Sequence, residues 1–268
     1  MEREAVPFIF LALCAGIFAI SRGAKRPRGR QMWTVVVISL GLFVVPALLV
    51  ALSQAWVSAF TRVVLFSLTP VFAVVFEPHI SDSTRSQSRG GLLAALVAVS
   101  GALCLFPLDL PGSIASTTAF AAVIAAAACL AFANCHAVRF ASDLTNADVA
   151  PAAAIACASA AIGLAAASAL TQSLAFPRAI IGSDLAWLAL VTLPGLLLLF
   201  WLLRRMSAAR ITSRFVLAPW LAVLAGIALE RPAITARMVL GLGLMAAGAS
   251  WLLLVPEDTA RETELKLS

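Results

Sequence analysis

Two stretches of this chain, VSAFTRVVLFSLTPVFAVV (residues 57–75) and MSAARITSRFVLAPWLAVL (residues 206–224), resemble each other. A shift of 149 residues aligns them without a gap. The identical pairs include Ser58 with Ser207, Ala59 with Ala208, Phe66 with Phe215, Leu68 with Leu217, Pro70 with Pro219, Ala73 with Ala222 and Val74 with Val223. A glycine-containing helical stretch follows each copy, SGALCL (100–105) and AGASWL (247–252). The alignment predicts that the chain consists of two related units.

The composition of the whole chain is that of a membrane protein. Of its 268 residues, 62% are hydrophobic and only 12% are charged. Soluble domains have roughly 45–50% apolar and about 25% charged residues, because they must cover themselves with polar surface. A polytopic helical membrane protein is therefore expected, with the lipid bilayer as its surroundings. A soluble enzyme, a disulfide scaffold, a disordered protein and a nucleic-acid binder are excluded, despite the net charge of +6.

Nine apolar segments have lengths close to the roughly 17–25 residues that cross a bilayer as a helix. Lipid offers no partner to an open strand edge, and the alternating pattern of a membrane barrel is absent, so each segment is predicted to be helical. The predicted segments are 6–21, 33–50, 55–77, 90–107, 116–140, 148–170, 185–203, 211–230 and 237–256.

Lysine and arginine are distributed unequally between alternate loops. One set of loops, together with the C-terminal tail, carries thirteen of them, and the opposite set carries four. The positive-inside rule places the richer set in the cytoplasm, so the C-terminus is expected inside and the N-terminus outside. The loop before the first repeat copy, ALSQAW, is uncharged, whereas the loop before the second, RRMSAAR, is basic. The two copies are therefore predicted to cross the membrane in opposite directions, as in inverted-repeat transporters.

The second half of the chain carries a family resemblance. The stretches RRMSAARITSRFVLAPWLAVLAGIALERP (204–232) and LGLGLMAAGASWLLL (240–254), with the paired helices around Pro70 and Pro219, resemble the drug/metabolite transporter superfamily in its ten-helix EamA-type branch. The resemblance implies an all-α bundle of two inverted five-helix repeats that moves small metabolites across the bacterial inner membrane. It divides the chain into a first repeat at 1–110, a second repeat at 111–256 and a cytoplasmic tail at 257–268.

The first repeat has four predicted helices where the family has five. Matched by position, segment 6–21 corresponds to the family's second helix. The expectation is that the start codon was assigned too far downstream, or that this is a truncated member of the family.

Arginines occur in both repeat copies within apolar sequence, where an unpaired charge is costly. Arg62 lies about seven residues into its predicted span, roughly 10 Å at about 1.5 Å per residue. If each span is one continuous helix, each arginine shares a helix face with residues three or four positions away. These two stripes are predicted to face a pathway and to bind an anionic substrate group, such as a carboxylate. The alternative is that Arg62 and Arg214 extend to the nearer membrane surface. The stripes are Ser58, Arg62, Leu65 and Thr69, and Ser207, Ile211, Arg214 and Ala218.

Further candidates for the site come partly from the resemblance. It implies that Asn134, Thr192 and Trp220 lie on pathway-lining helices; packing is the alternative for Trp220. Pro70 and Pro219 are predicted to kink their helices, either as hinges or as static bends. Glu77 and Glu230 are predicted to end their helices, as proton-coupling acids or as helix stops at the membrane surface.

Enzymatic and metal-binding motifs are absent from the sequence. It contains no HExxH, GxSxG or Walker-type loop, and its two histidines, His79 and His136, have no neighbouring carboxylate ligand set. Five cysteines without a CxxC motif indicate neither a zinc site nor a disulfide framework. No catalytic residue, metal or cofactor is predicted.

The sequence therefore predicts an alternating-access transporter of small amphipathic metabolites, with export as the direction implied by family analogy. The alternatives are a non-transport membrane component, such as a lipid-handling or assembly protein, and an inactive truncated permease. The oligomeric state is left open.

Overall fold

A computed structural model describes residues 2–21, 29–80, 89–145, 148–171, 193–230 and 235–254. Every regular element in these ranges is a helix. Six helical stretches in the described residues are long and apolar enough to cross a membrane, which fits the predicted polytopic helical protein. Three shorter apolar helices, Phe8–Ser21, Gly90–Leu105 and Pro194–Leu203, coincide with the remaining predicted segments. The six longer stretches are Gly29–Ser53, Ala59–Ile80, Ile114–Ser142, Val149–Ala169, Ala208–Glu230 and Ala236–Leu254.

The helices are numbered in chain order. They are α1 (Glu2–Ser21), α2 (Gly29–Ser39), α3 (Val45–Ser53), α4 (Ala59–Phe66), α5 (Thr69–Ile80), α6 (Arg89–Leu105), α7 (Ile114–Ser142), α8 (Val149–Thr171), α9 (Leu193–Leu203), α10 (Ala208–Thr212), α11 (Arg214–Glu230) and α12 (Ala236–Leu254). A π-helix, Leu40–Val44, joins α2 to α3.

Both repeat copies are interrupted helices. The span 59–80 breaks at residues 67–68, between α4 and α5, and the span 208–230 breaks at Ser213, between α10 and α11. The prediction of one continuous helix per copy is therefore wrong. The turn is tightened at each break, because the amide of Leu68 donates to the Leu65 carbonyl and that of Val216 to the Ser213 carbonyl, each only three residues back.

The π-helix has a local cause in the sequence. Pro46 lies at the start of α3 and has no amide hydrogen, so it cannot donate to the backbone behind it. The helix accommodates the missing donor of Pro46 with one wider turn, in which the amide of Val45 donates to the carbonyl of Leu40. Gly41 lies in this turn, and an added Cβ there would be 3.1 Å from the Cβ of Ala133 on α7.

Helices α6 and α12 cross in backbone contact. A Cβ built on Gly248 would lie 2.4 Å from the amide nitrogen of Ala98, and one built on Gly101 would lie 2.5 Å from that of Met245. Contacts advance along α6 while they retreat along α12, so the two helices run antiparallel. Small residues at a crossing allow this approach, which is a common basis of helix association in lipid.

Two further helix pairs pack closely. Helix α1 packs against α8, where Phe8 and Leu11 share a buried cluster with Ala160 and Leu164. The end of the span 59–80 meets the start of the span 208–230, since α5 contacts α10 and α4 contacts α11, so these two spans run antiparallel.

Helix α7 lies between the spans 29–53 and 59–80 and packs on both. On one side, Ala133 and Ala137 share a cluster with Leu42. On another side, Ala131 and Cys135 pack against Ala73. Alanines on α7 therefore permit close packing in two directions.

The α6–α12 crossing provides a test of the fold. Gly248→Val places a side chain against the backbone of α6 and is expected to cost about 1–3 kcal/mol of unfolding free energy. Gly243→Val is the matched control, because Gly243 is exposed on the same helix and nothing lies within 4 Å of its added Cβ. Thermal unfolding of the two purified variants in detergent measures the difference. Equal midpoints would contradict the crossing.

Candidate functional site

The two helix breaks meet at the centre of the bundle. The rings of Phe66, the last residue of α4, and Phe215, the second residue of α11, lie 6.0 Å apart between centroids. Both pack against a buried cluster that includes Leu130 and Ala133 of α7 and Ile211 of α10. The breaks therefore lie next to each other and next to α7.

Buried hydroxyl groups donate hydrogen bonds to backbone carbonyl oxygens at both breaks. Each hydroxyl donates to a carbonyl oxygen of its own preceding turn, and each of these four residues is at most 1% exposed. The bonds run from Ser67 Oγ to Val64 O (2.6 Å), from Thr69 Oγ1 to Phe66 O (2.6 Å), from Thr212 Oγ1 to Ala208 O (2.9 Å) and from Ser213 Oγ to Arg210 O (2.6 Å).

Pro70 and Thr69 act together at the first break. Pro70 is the second residue of α5, so the prediction that it lies within a helix interior is wrong. It has no amide hydrogen for the Phe66 carbonyl, and the Thr69 hydroxyl donates to that oxygen instead. Thr69 is fully buried in this conformation. Pro219, by contrast, lies inside α11, as predicted.

Of the two predicted arginines, Arg214 lies deeper in its span. It is six residues past the start of the span at Ala208, roughly 9 Å along the axis at about 1.5 Å per residue. Its guanidinium carbon lies 4.9 Å from the Phe215 ring centroid, and its side chain is half-buried. The guanidinium of Arg214 has no hydrogen bond or ion pair with another residue in the part of the chain that the structure describes.

Arg62 lies closer to the helix end than the sequence predicts. Helix α4 begins at Ala59, with Ser58 as its N-cap, and not at residue 55. Arg62 is therefore only three residues from the helix start, roughly 4.5 Å along the axis. The assumed depth of roughly 10 Å is wrong, and Arg214 replaces Arg62 as the arginine farther from its span end.

Asn134 lies fully buried on α7. Its Nδ2 donates to the Leu130 carbonyl oxygen at 2.7 Å, while its Oδ1 has no hydrogen-bond partner among the described residues. A buried amide oxygen without a donor is unfavourable and can accept a hydrogen bond from a ligand. Thr192, the other polar candidate predicted with it, lies outside the described residues.

Trp220 is half-buried and joins two helices. Its indole nitrogen donates to the Leu242 carbonyl oxygen at 3.1 Å, which ties α11 to α12. Glu230 is exposed and is the last residue of α11, as predicted. Glu77 does not end its helix, because α5 continues through Pro78 to Ile80.

A polar connection at the Ser58 end of the bundle was not predicted. Thr61 Oγ1 donates to Asp109 Oδ2 at 3.4 Å and accepts the amide hydrogen of Asp109 at 3.0 Å. Ser58 Oγ donates to the same Thr61 oxygen at 3.0 Å. The loop after α6 is thereby held on the start of α4. A serine before an apolar helix signals an N-cap, but no pattern in the sequence indicates its tertiary partner Asp109.

The structure also contains a cavity of about 70 Å³ that the sequence analysis missed. It lies between α2 with the π-helix, α7, α8 and α9, and its wall is almost entirely apolar. Arg62, Thr69, Asn134, Arg214 and Trp220 do not line it. The cavity therefore does not include these candidate residues, although Leu42 and Ala137 of its wall belong to the same buried cluster as Phe66 and Phe215.

Comparison with known proteins identifies the fold alone. No family model and no curated protein matches this sequence. One solved crystal structure of a protein superimposes with a TM-score of 0.74 and 16% sequence identity, covering 95% of this chain and 89% of that one. The architecture of this chain is therefore similar to that of an experimentally determined protein over nearly its whole length.

The Thr69–Pro70 arrangement gives a sharp prediction for stability. Thr69→Val keeps the shape of the side chain but leaves the Phe66 carbonyl without its donor, at an expected cost of about 1–3 kcal/mol. Thr118→Val is the control, since Thr118 makes a similar bond to Ala115 on an exposed helix surface. Thermal unfolding in detergent measures both.

A second substitution separates the hydrogen bond from general packing. Pro70→Ala restores a backbone amide that can donate to the Phe66 carbonyl. In that background, Thr69→Val is expected to cost much less than in the wild type. If Thr69→Val costs the same in both backgrounds, the Thr69 hydroxyl does not take the place of a missing Pro70 amide at the Phe66 carbonyl.

Proposed function

We propose that this chain is an alternating-access transporter of small amphipathic metabolites with an anionic group, of the drug/metabolite transporter type. Its spans belong to two inverted repeats, four of them in the first repeat and five in the second. It moves its substrate across the bacterial inner membrane, and family analogy favours export.

The observation that carries this proposal is where the repeat-related helices cross. The 149-residue shift found in the sequence maps Phe66 onto Phe215, and these two rings pack on each other. The same shift maps Leu11 onto Ala160, and both belong to one buried cluster. A residue that meets its own equivalent lies on the symmetry axis that relates the two units.

The glycine crossing supports the same axis. The shift maps Ala98 onto Ala247 and Val99 onto Gly248, and Gly248 packs against Ala98. Three helix pairs thus meet at or close to equivalent positions, and the two pairs whose direction the contacts give, the spans 59–80 with 208–230 and α6 with α12, are antiparallel. An operation that exchanges antiparallel helices is a two-fold rotation about an axis in the membrane plane, which is the symmetry of inverted-repeat transporters.

Arg214 supports an anionic substrate. It lies beside the contact between the two breaks, where a charge without a carboxylate partner is costly unless a ligand or water reaches it. The first amides of α11 offer little to a substrate, since those of Val216 and Leu217 donate to the Ser213 carbonyl. The guanidinium is therefore the donor best placed for a carboxylate, and the Oδ1 atom of Asn134 is a candidate acceptor for a substrate N–H group.

The charge pattern supports the orientation. The described arginines at one end of the bundle, hereafter the basic end, are Arg30, Arg89, Arg139, Arg204, Arg205 and Arg210. The positive-inside rule favours a cytoplasmic basic end, which supports a cytoplasmic C-terminus and an N-terminus outside.

Loss of anion binding in an Arg214 variant tests the substrate site. Carboxylates that bind the folded protein raise its unfolding midpoint by mass action. We expect stabilisation of the wild type by members of a panel of amino acids and small organic acids. Arg214→Gln should weaken that binding about tenfold or more, because a hydrogen bond to a charged group is worth about 1.5–3 kcal/mol.

Arg205→Gln is the matched control for this experiment. It removes the same charge from an exposed arginine that also lies over an aromatic ring, that of Trp201 at 5.7 Å. Counterflow of the best ligand in proteoliposomes then measures transport. Equal binding by both variants would exclude Arg214 from the site, and binding without counterflow would contradict transport.

The topology is tested by labelling single cysteines in a variant whose native cysteines are replaced by serine. Gly112→Cys and Asp143→Cys place exposed thiols at opposite ends of α7. In intact cells, a membrane-impermeant maleimide is expected to label residue 112 and to label residue 143 only after permeabilisation. The reverse pattern would overturn the orientation.

A further inference from the structure

The apolar cavity near the basic end has the properties of a site for a lipid chain. The cavity exists because three alanines on α8 have small side chains there, and the larger side chains of Phe140 and Phe200 form its sides. Its volume is about 70 Å³. Because an apolar cavity of about 150 Å³ holds a benzene ring, this one has room for a few methylene groups. The alanines are Ala152, Ala153 and Ala156.

The wall offers no hydrogen bond to water or to a polar ligand except at one edge. Of the lining residues, only Ser39 and Arg204 have polar side chains. The hydroxyl of Ser39 already donates to the Ala156 carbonyl oxygen at 2.5 Å. A water molecule needs two to four polar partners, so the interior of the cavity favours a hydrocarbon group.

Arg204 lies at that polar edge. One of its terminal nitrogens is 3.4 Å from the Leu144 carbonyl oxygen at the end of α7. A guanidinium has five N–H donors in a fixed fork, so it can hold a carbonyl and a phosphate together. Arg205 and the exposed Trp201 are its neighbours on α9 and the following turn, and both residue types are typical of the membrane surface.

Two carboxylates occur in the loop next to this edge. Asp143 is exposed, and Asp148 accepts a hydrogen bond from the Thr145 hydroxyl at 2.5 Å. Six described arginines lie at the basic end, with Arg89 at the start of α6 among them, and Glu77 near the end of α5 is a third carboxylate there. The arginines at this end outnumber these three carboxylates, which favours an anionic lipid headgroup over a zwitterionic one.

We propose that this cavity binds a short segment of one acyl chain of an anionic phospholipid, with the lipid phosphate at Arg204. An acyl chain is flexible and apolar, and it enters from the surrounding bilayer. It supplies the dispersion contacts that the cavity wall lacks when empty. Arg214 and the residues of the helix breaks do not line the cavity, so this site does not depend on the proposed transport function.

The first test compares phosphatidylglycerol with phosphatidylcholine on the delipidated full chain in detergent. Phosphatidylglycerol is expected to raise the unfolding midpoint at concentrations at least tenfold lower. Ala153→Leu fills the cavity and should abolish the effect, whereas Ala165→Leu, at an exposed position of the same helix, should preserve it. Equal responses of the two leucine variants would overturn the proposal.

The headgroup contact is tested separately by charge. Arg204→Gln should remove most of the preference for phosphatidylglycerol, while Arg30→Gln, which removes an exposed charge at the same end, should leave it unchanged. Equal loss in both variants would mean that the lipid responds to total charge and would contradict a phosphate site at Arg204.

A photoreactive lipid locates the chain without any variant. Phosphatidylglycerol with a diazirine in the middle of one acyl chain is added to the wild-type protein, irradiated and mapped by peptide mass spectrometry. Crosslinks are expected at the end of α7 and the start of α8, around Phe140 and Ala153. Crosslinks confined to exposed surfaces such as that of Leu254, at the end of α12, would overturn the proposal.

Discussion

Backbone carbonyl groups inside a membrane must find their donors within the protein, and the centre of this bundle depends on that constraint. Both central spans are interrupted, and each interruption removes donors from the preceding turn. Hydroxyl groups replace those donors, as Thr69 does for the carbonyl that Pro70 leaves without an amide. Serine and threonine at these positions thus allow an interrupted helix to lie within the membrane. Their hydroxyl hydrogens are already donated to backbone carbonyl oxygens, which limits what they can donate to a substrate.

Backbone proximity is the second requirement of the architecture. Helices α6 and α12 touch through Gly101 and Gly248, and Gly41 brings the π-helix against α7. In lipid there is no hydrophobic gain from bringing two helices together, so packing contacts and hydrogen bonds must supply the association. Alanine-rich faces on α7 and α8 allow similarly close helix packing elsewhere in the bundle. This explains how a bundle with many alanines among its described buried residues is held together.

The sequence predicts the helical class and the approximate position of every described span, because span length and hydropathy are direct consequences of bilayer thickness. It does not predict the breaks at residues 67–68 and at Ser213, since serine and threonine fit a continuous helix equally well by composition. This error changes the expected depths of the two arginines: Arg62 lies nearer its helix end than expected, and Arg214 lies deeper. The cavity near Arg204 was missed because its four walls come from segments far apart in sequence, and alanine runs resemble ordinary packing surfaces.

The contact between α6 and α12 has a mechanical consequence. Backbone meets backbone there along a line and not at a single point. Contacts run from Ala94 to Leu105 on α6 and from Gly248 back to Gly241 on α12, which is about three turns of α6 at about 3.6 residues per turn. A change of crossing angle would separate the backbones at one end of this line and press them together at the other. Motion of one half of the bundle against the other would therefore carry α6 and α12 together as one unit.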